Sequence, residues 1–524
     1  MGSIALLDCT LRDGGYINDW YFGEYAIKTI CRKLVAAGIR FIEVGFIKGD
    51  NYIKDRAVFP DLECIKEVIS PKHPETMYMG MVDMSDPIPL DRIKPYDGSS
   101  VDAIRVIFKK DKIDEGYRYC EVIKNLGYKV FAQAVGTDLY TDKEFIELIE
   151  RFNTLEPYAF SIVDTFGLIK RRHFLRLVQI ADNNLKSTIG LGYHSHNNLQ
   201  QAFGNAEAFI DLGLRRDIYI DACVFGMGRG AGNLNLELFA GYMNENCGAD
   251  FRIEPILEII DEFLNDIYRK KFWGYSLPYY LSSTNGCHPN YAKYFSEKNT
   301  LTVKSFNELL NSIPSQDRIV YSKEKAEQYY ITYMQNYIDD KRTLDELSRL
   351  FANRRILLLA PGRSLIDYKS IIIGYISNEK PIVVTVNFVD DEFGTDYVFS
   401  SNMRRYSHIQ NRKDVKRIIT SNIKDADDYD YIINFSSFSS RFPDIVDNSG
   451  LMAIRLMLAL GIQELTIAGM DGYAEDKNLN YYHEQLVYDF SSEAVKRNEL
   501  ISQEIKDIRK QCKLEFLTPT LYSV

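Results

Sequence analysis

The sequence predicts an α/β protein in two parts, an N-terminal (β/α)8 barrel of the TIM type and a C-terminal Rossmann-like sheet. Three observations predict this. Up to about residue 225, short apolar β-like runs alternate with helical patterns, and the runs number eight. Polar and charged residues fall in or just after these runs, and a barrel collects its strand ends at one mouth. From Arg354 a new buried run, Arg355 to Ala360, enters a Pro361-Gly362 turn and opens a second alternation.

The eight runs are Ile4–Cys9, Phe41–Phe46, Met77–Val82, Ala103–Phe108, Val130–Val135, Phe160–Val163, Ile189–Tyr193 and Tyr219–Val224. Between them, Tyr25–Ala37, Arg171–Asn183 and Leu199–Leu212 show the apolar spacing of helices. A doubly wound open sheet is the alternative, and the count of eight favours the barrel. Amphipathic helices follow at Ile253–Tyr268, Val303–Ser312, Lys323–Tyr337 and Leu344–Phe351. Among them Asn285–Tyr291 is turn-rich and is expected to be a loop over the barrel mouth. Further strands are expected at Pro381–Val389, Tyr431–Phe435 and Glu464–Ala468, with a helix at Leu451–Leu460. The domains are then a barrel over 1–275, a helical lid and linker over 276–350, and a Rossmann-like domain over 351–524.

Composition narrows the function. The chain has 524 residues, 46% hydrophobic and 26% charged, as in globular proteins of more than one domain. A net charge of −10 argues against a nucleic-acid binder that works through an overall basic field. Eight cysteines without a C-x-x-C pair read as reduced thiols of a cytoplasmic protein. No signal peptide is evident at the start, and no stretch approaches the roughly 20 apolar residues of a membrane span.

The chemistry centres on Leu7-Asp8-Cys9-Thr10-Leu11-Arg12-Asp13-Gly14-Gly15-Tyr16, a strand that delivers a charged pair onto glycines. Buried charges are costly unless paired or bound to a metal. The seventh run ends in His194-Ser195-His196, and residues i and i+2 of a strand face one side. One cation can therefore be shared by both imidazoles, with Asp13 as oxygen ligand. That donor set suits a divalent ion of the Mn, Fe, Co or Zn group. Asn233, in the glycine-rich segment Gly226–Asn233, is a further candidate ligand. Glu43, Arg105, Gln133, Asp164 and Arg229 lie in or after other runs and are expected at the same mouth.

These residues carry a resemblance. The N-terminal half resembles the metal-dependent aldolase and acyl-lyase superfamily, which includes 4-hydroxy-2-oxovalerate aldolase and 3-hydroxy-3-methylglutaryl-CoA lyase. The marks are Thr10–Gly14, Ile42–Gly45, Asp164–Gly167, His194–Asn198 and Gly226–Asn233, in the superfamily's order. The resemblance implies metal binding by Asp13, His194, His196 and Asn233, with Mn or Mg first and Co or Zn next. It assigns Arg12 to an enolate and a 2-oxo acid and an aldehyde as small-molecule partners. The aldolases carry a catalytic histidine at the place of Tyr16, so Tyr16, His288 and Tyr291 are the substitutes for proton transfer. Glu43 and Asp164 complete the catalytic candidates, and Arg105, Gln133 and Arg229 are the substrate-binding ones. Met227-Gly228-Arg229 replaces the reactive cysteine region of the CoA lyases. The alternatives are a Claisen-type acyl-CoA enzyme and an inactive barrel supporting a transferase domain.

The C-terminal part faintly resembles the hydroxymethylpterin pyrophosphokinase-like group and certain sialyltransferases. This implies a nucleotide or nucleotide-sugar at Gly362, Arg363, Ser364 and Asp471, and a setting in sugar or surface-polysaccharide metabolism. A plain Pro-Gly turn is the alternative for that segment, and a homodimer is left open.

Overall fold

The computed structural model describes residues 2–49 and 51–522. Two compact units divide the chain, Met1–Lys293 and Tyr294–Val524.

The first unit is built on a nine-stranded parallel sheet: β1 Ile4–Asp8, β2 Phe41–Ile47, β3 Val58–Phe59, β4 Met77–Asp83, β5 Ala103–Phe108, β6 Lys129–Ala134, β7 Ala159–Asp164, β8 Gly190–Ser195 and β9 Ile218–Ala222. Their order is β1-β9-β8-β7-β6-β5-β4-β2-β3, and β1 also pairs with β2, so eight strands close into a barrel. The two-residue β3 merely extends the end of β2, and the sequence pattern is too short to announce it. Each expected run is a strand, within a residue or two at the ends.

The alternation of side chains explains why the site sits where it does. Leu7, Phe41, Met79, Ala103, Phe131, Ala159 and Tyr219 pack together as an apolar plug inside the barrel. Two residues further along their strands come Cys9, Glu43, Arg105, Gln133, Ser161 and Asp221, which therefore face the same interior one layer nearer the mouth. Outward residues such as Ile42, Ile104, Phe160 and Leu191 pack in the larger core with the helices. Among these are Glu24–Ala36, Asp142–Leu155, Arg171–Asn184 and Ala202–Asp211. Asp142–Leu155 starts on a reciprocal cap, with Thr141 and Glu144 each bonding the other's backbone.

Two local expectations need correction. The glycine turn after Cys9 is a helical turn, with Thr10–Gly14 in wide π-type geometry continuing into the helix Gly15–Asn18. The His288-Pro289 segment is not wholly loop, because Pro289 opens a helix, Pro289–Glu297. Proline favours a first helical position, where its missing N–H is not needed.

The second unit contains the helices Val303–Ser312, Lys323–Met334 and Lys341–Phe351 and a seven-stranded parallel sheet. Its strands are β10 Ile356–Leu359, β11 Ile382–Val386, β12 Tyr397–Ser400, β13 Lys416–Thr420, β14 Tyr431–Ile433, β15 Glu464–Ala468 and β16 Lys513–Phe516. The order β14-β13-β12-β11-β10-β15-β16 reverses direction at β10. β12, β13 and β16 escape the sequence reading because they are short, and the latter two begin on lysine. No helix among the described residues is long and apolar enough to cross a membrane.

Candidate metal centre and active site

Asp13, His194 and His196 converge at the barrel mouth, with one donor atom from each lying within 4.8 Å of the others. The π-type turn brings Asp13 back over the end of β1, and such turns recur at functional sites. β8 supplies His194, and His196 follows it in a bridge to Asn233.

A chain of ion pairs fixes this arrangement. Arg12 Nη1 donates to Asp13 Oδ1 at 2.7 Å, and Arg12 Nε donates to Glu43 Oε2 at 2.8 Å. Arg105 donates to Glu43 at 3.1 Å and also to Asp221. Asp221 Oδ2 lies 2.9 Å from His194 Nδ1. Asp221 thus receives the proton of Nδ1 and leaves Nε2 as the ring's free donor atom. Trp20 Nε1 donates to the carbonyl of Arg12 at 2.7 Å, anchoring the turn.

These residues fit a divalent cation on three grounds. Two buried guanidiniums, Arg12 and Arg105, face three buried carboxylates, Asp13, Glu43 and Asp221, so negative charge is in excess. His196 Nδ1 and Asn233 Oδ1 are buried without hydrogen-bond partners, and His196 Nδ1 lies 3.9 Å from Asp13. Burial pushes His196 down to about 3, which keeps its imidazole neutral and its lone pair available. Burial alone would raise Asp13, but Arg12 and the two histidines hold it well below the usual carboxylate range. A second cluster, Cys9, His194 and Asp221, is compact too, but Arg105 already places its charge on Cys9 and Asp221.

Asn233 is at the centre, donating through Nδ2 to Asp13 and to the Met227 carbonyl. Gly228 permits this, since a Cβ there would lie 2.1 Å from Asn233 Nδ2. Tyr16 is 38% exposed, and the Arg229 guanidinium lies over its ring at 5.3 Å. Burial raises the Tyr16 phenol above its ordinary value, against the pull of Arg229 and Arg12. His288 sits edge-on to Phe166, and its Nδ1 accepts from the Asn290 amide at 3.1 Å. Burial, with Arg229 and Lys109 nearby, pushes it down to about 2. Asp164 accepts from the Leu168 and Ile169 amides and, through burial and the nearby Asp138, is raised to about 8.

The remaining candidates are placed differently from the expectation. Arg105 is fully buried, with its guanidinium engaged by Glu43 and Asp221 beneath the mouth. Gln133 is spent on Ser161 at 2.8 Å, and Tyr291 is fully enclosed. The sequence reading missed Asp221. Its signal was available, a carboxylate two residues after Tyr219 and hence inward in the last strand.

In the second unit, the Pro-Gly turn does not offer its amides to an anion. Ser364 N–H donates to Asp471 Oδ2 at 2.7 Å and its hydroxyl donates to Oδ1. Arg363 is exposed. Gly362 is required because a Cβ would meet the Gly469 carbonyl oxygen at 2.3 Å.

Comparisons with known proteins find several similar ones. A family model described as HMGL-like matches residues 102–255. The 4-hydroxy-2-oxovalerate aldolase of Moorella thermoacetica is 24% identical over 278 residues, 51% of this chain and 78% of that protein. The oxaloacetate decarboxylase of Mycobacterium tuberculosis is 26% identical over 236 residues, 44% of this chain and 67% of its own. Among solved structures, the HMG-CoA lyase of Brucella melitensis aligns over 51% of this chain and 100% of its own, at 15% identity and a TM-score of 0.42. The chain is thus similar to HMGL-like proteins over residues 102–255, and to an aldolase and an oxaloacetate decarboxylase over about half its length. Among its relatives 4-hydroxy-2-oxovalerate aldolases recur.

Proposed function

We propose that the barrel makes or cleaves a 4-hydroxy-2-oxo acid, with pyruvate as one fragment and an aldehyde as the other. The convergence of Asp13, His194 and His196 beside a paired arginine carries this reading. Asp13, His194 and His196, with Asn233 beside them, would hold a divalent cation, Mn or Mg first. When bound, the cation supplies Lewis acidity to the carboxylate and ketone oxygens of a 2-oxo acid.

Arg12 keeps a permanent positive charge at the same place, oriented by Glu43 and Asp13. It offsets the negative charge that grows on the ketone oxygen as the C–C bond breaks. Tyr16 stands where the aldolases place their catalytic histidine, and its phenol is protonated at neutral pH. In synthesis it donates its proton to the aldehyde oxygen as the C–C bond forms, and in cleavage it takes the 4-hydroxyl proton only as its own passes to solvent. Asn290 fixes His288 with its neutral proton on Nε2, making it the second candidate for proton transfer.

The test is pyruvate release from 4-hydroxy-2-oxo acids, before and after chelation and after adding back Mn or Mg. Activity is expected to vanish with the metal and to return with it. Activity that survives complete chelation, or that requires acetyl-CoA, would discard this reading. His194→Ala and Asp13→Ala are expected to lose the metal, whereas Arg12→Ala keeps it and loses turnover.

A further inference from the structure

Arg12 and Arg105 are each engaged by two carboxylates, but two other cations near the barrel mouth have none. The Arg229 guanidinium lies over the Tyr16 ring at 5.3 Å, and among the described residues no hydrogen bond or ion pair engages it. Lys48 follows β2, and its Nζ lies 4.6 Å from the Trp20 ring and 4.8 Å from the Phe46 ring. Among the described residues it too has no hydrogen-bond or ion-pair partner. Both side chains are half-buried.

The two cations flank one aromatic cluster. The rings of Tyr16 and Trp20 lie 4.9 Å apart, those of Trp20 and Phe46 5.4 Å, and those of Tyr16 and Phe46 6.1 Å. A ring face attracts a cation but leaves its N–H groups without acceptors, so both heads remain available to an anion. Besides Asp13, Asp83 at the end of β4 faces Tyr16; it accepts the Ser85 amide at 2.8 Å and pairs with neither cation.

The backbone that carries Arg229 is pinned. The Ala231 amide donates to Asn198 Oδ1 at 2.9 Å, and the Gly232 amide donates to the Arg229 carbonyl at 3.2 Å. A Cβ at Gly232 would meet the Gly226 carbonyl oxygen at 2.1 Å, so the loop depends on that glycine. A fixed backbone presenting an unengaged guanidinium is suited to recognition. The charge of Arg229 also acts on both Tyr16 and His288. These are the two candidates for proton transfer to the aldehyde oxygen, so Arg229 stands beside the aldehyde fragment whichever of them acts.

We propose that the aldehyde partner is anionic, bearing a carboxylate or phosphate that Arg229 receives, with Lys48 as the second cation of the same subsite. This rests on the aldolase reading and adds to it the charge of the acceptor. A neutral short aldehyde would leave both cations without a partner. Losing a hydrogen bond to a charged group costs about tenfold or more in binding.

The experiment has two arms, both on the full chain loaded with Mn. The first needs no aldehyde: exchange of the pyruvate methyl protons in D2O, followed by NMR. Absence of exchange would discard the aldolase reading, and this proposal with it. The second compares kcat/KM within matched pairs: glyoxylate against acetaldehyde, succinic semialdehyde against butanal, and glyceraldehyde 3-phosphate against glyceraldehyde. At least one anionic aldehyde is expected to exceed its neutral counterpart by about tenfold or more, and the pair that shows it distinguishes carboxylate from phosphate. Arg229→Gln and Lys48→Gln are each expected to reduce that ratio, Arg229→Gln by about tenfold. A misfolded variant loses both members of a pair together, so the ratio reads recognition rather than folding. The proposal is overturned if exchange occurs while no anionic aldehyde is preferred, or if either variant keeps the parent's ratio. It is overturned equally if Arg229→Gln raises the KM for pyruvate and leaves the ratio, which would assign Arg229 to the 2-oxo acid.

Discussion

Asp221 decides how His194 is presented, although it touches no reactant. It accepts the Nδ1 proton at 2.9 Å while its charge is balanced by Arg105. Asp221→Asn should therefore weaken metal retention about 10- to 100-fold, the range typical of groups that orient a ligand. Metal analysis after dialysis against a competing chelator, with circular dichroism to verify folding, measures it. Unchanged retention would mean that His194 is oriented without it. Gly228→Ala should be as damaging, because its Cβ would occupy the place of Asn233 Nδ2. Asp8 gives a pH signature. Burial raises it from the ordinary 3.8 to about 7. The unfolded chain ionises near the ordinary value and the folded one only near 7, so this carboxyl destabilises the fold as pH rises through that window. Asp8→Asn keeps an acceptor for the Thr10 amide and should gain on the parent by about 2–4 kcal/mol between pH 4 and 8. Urea denaturation at both ends of the window gives the difference.

Elements show the same economy of signal. β8 places His194 inward because its period of two is fixed by the pleat, and the apolar residues around it set the register. Asp142–Leu155 depends on its Thr141 cap, so Thr141→Ala should cost about 1 kcal/mol without changing metal content. Denaturant midpoints and metal analysis of one preparation would separate the two effects. The turn that carries Arg12 and Asp13 was legible as a strand ending in charge and glycine. Its π geometry was not, because that depends on Trp20 reaching back to the Arg12 carbonyl. The capping of Ser364 by Asp471 was hidden for the same reason, since the two are 107 positions apart.

For the whole molecule, metal binding should stabilise the first unit by mass action, about 2.7 kcal/mol at a free metal concentration of one hundred Kd. The two tryptophans, Trp20 and Trp273, both belong to that unit, so their fluorescence reports its unfolding alone. Chelation should lower the midpoint read by tryptophan fluorescence. A transition that ignores chelation at every metal concentration would argue against a cation in the native barrel.

Sequence alone determined the eight-strand alternation, the inward period that sets His194 beside His196, and the chemical type of Asp13, Arg12 and Asn233. Those are local facts, fixed by side-chain periodicity and by what each side chain can bond. Tertiary structure decided which buried charges and polar groups meet: Arg105 went to Glu43 and Asp221, and Asp471 went to the amide and hydroxyl of Ser364. Pairing between distant residues depends on barrel closure and strand order, because buried charges settle on whichever opposite charge the fold brings within reach.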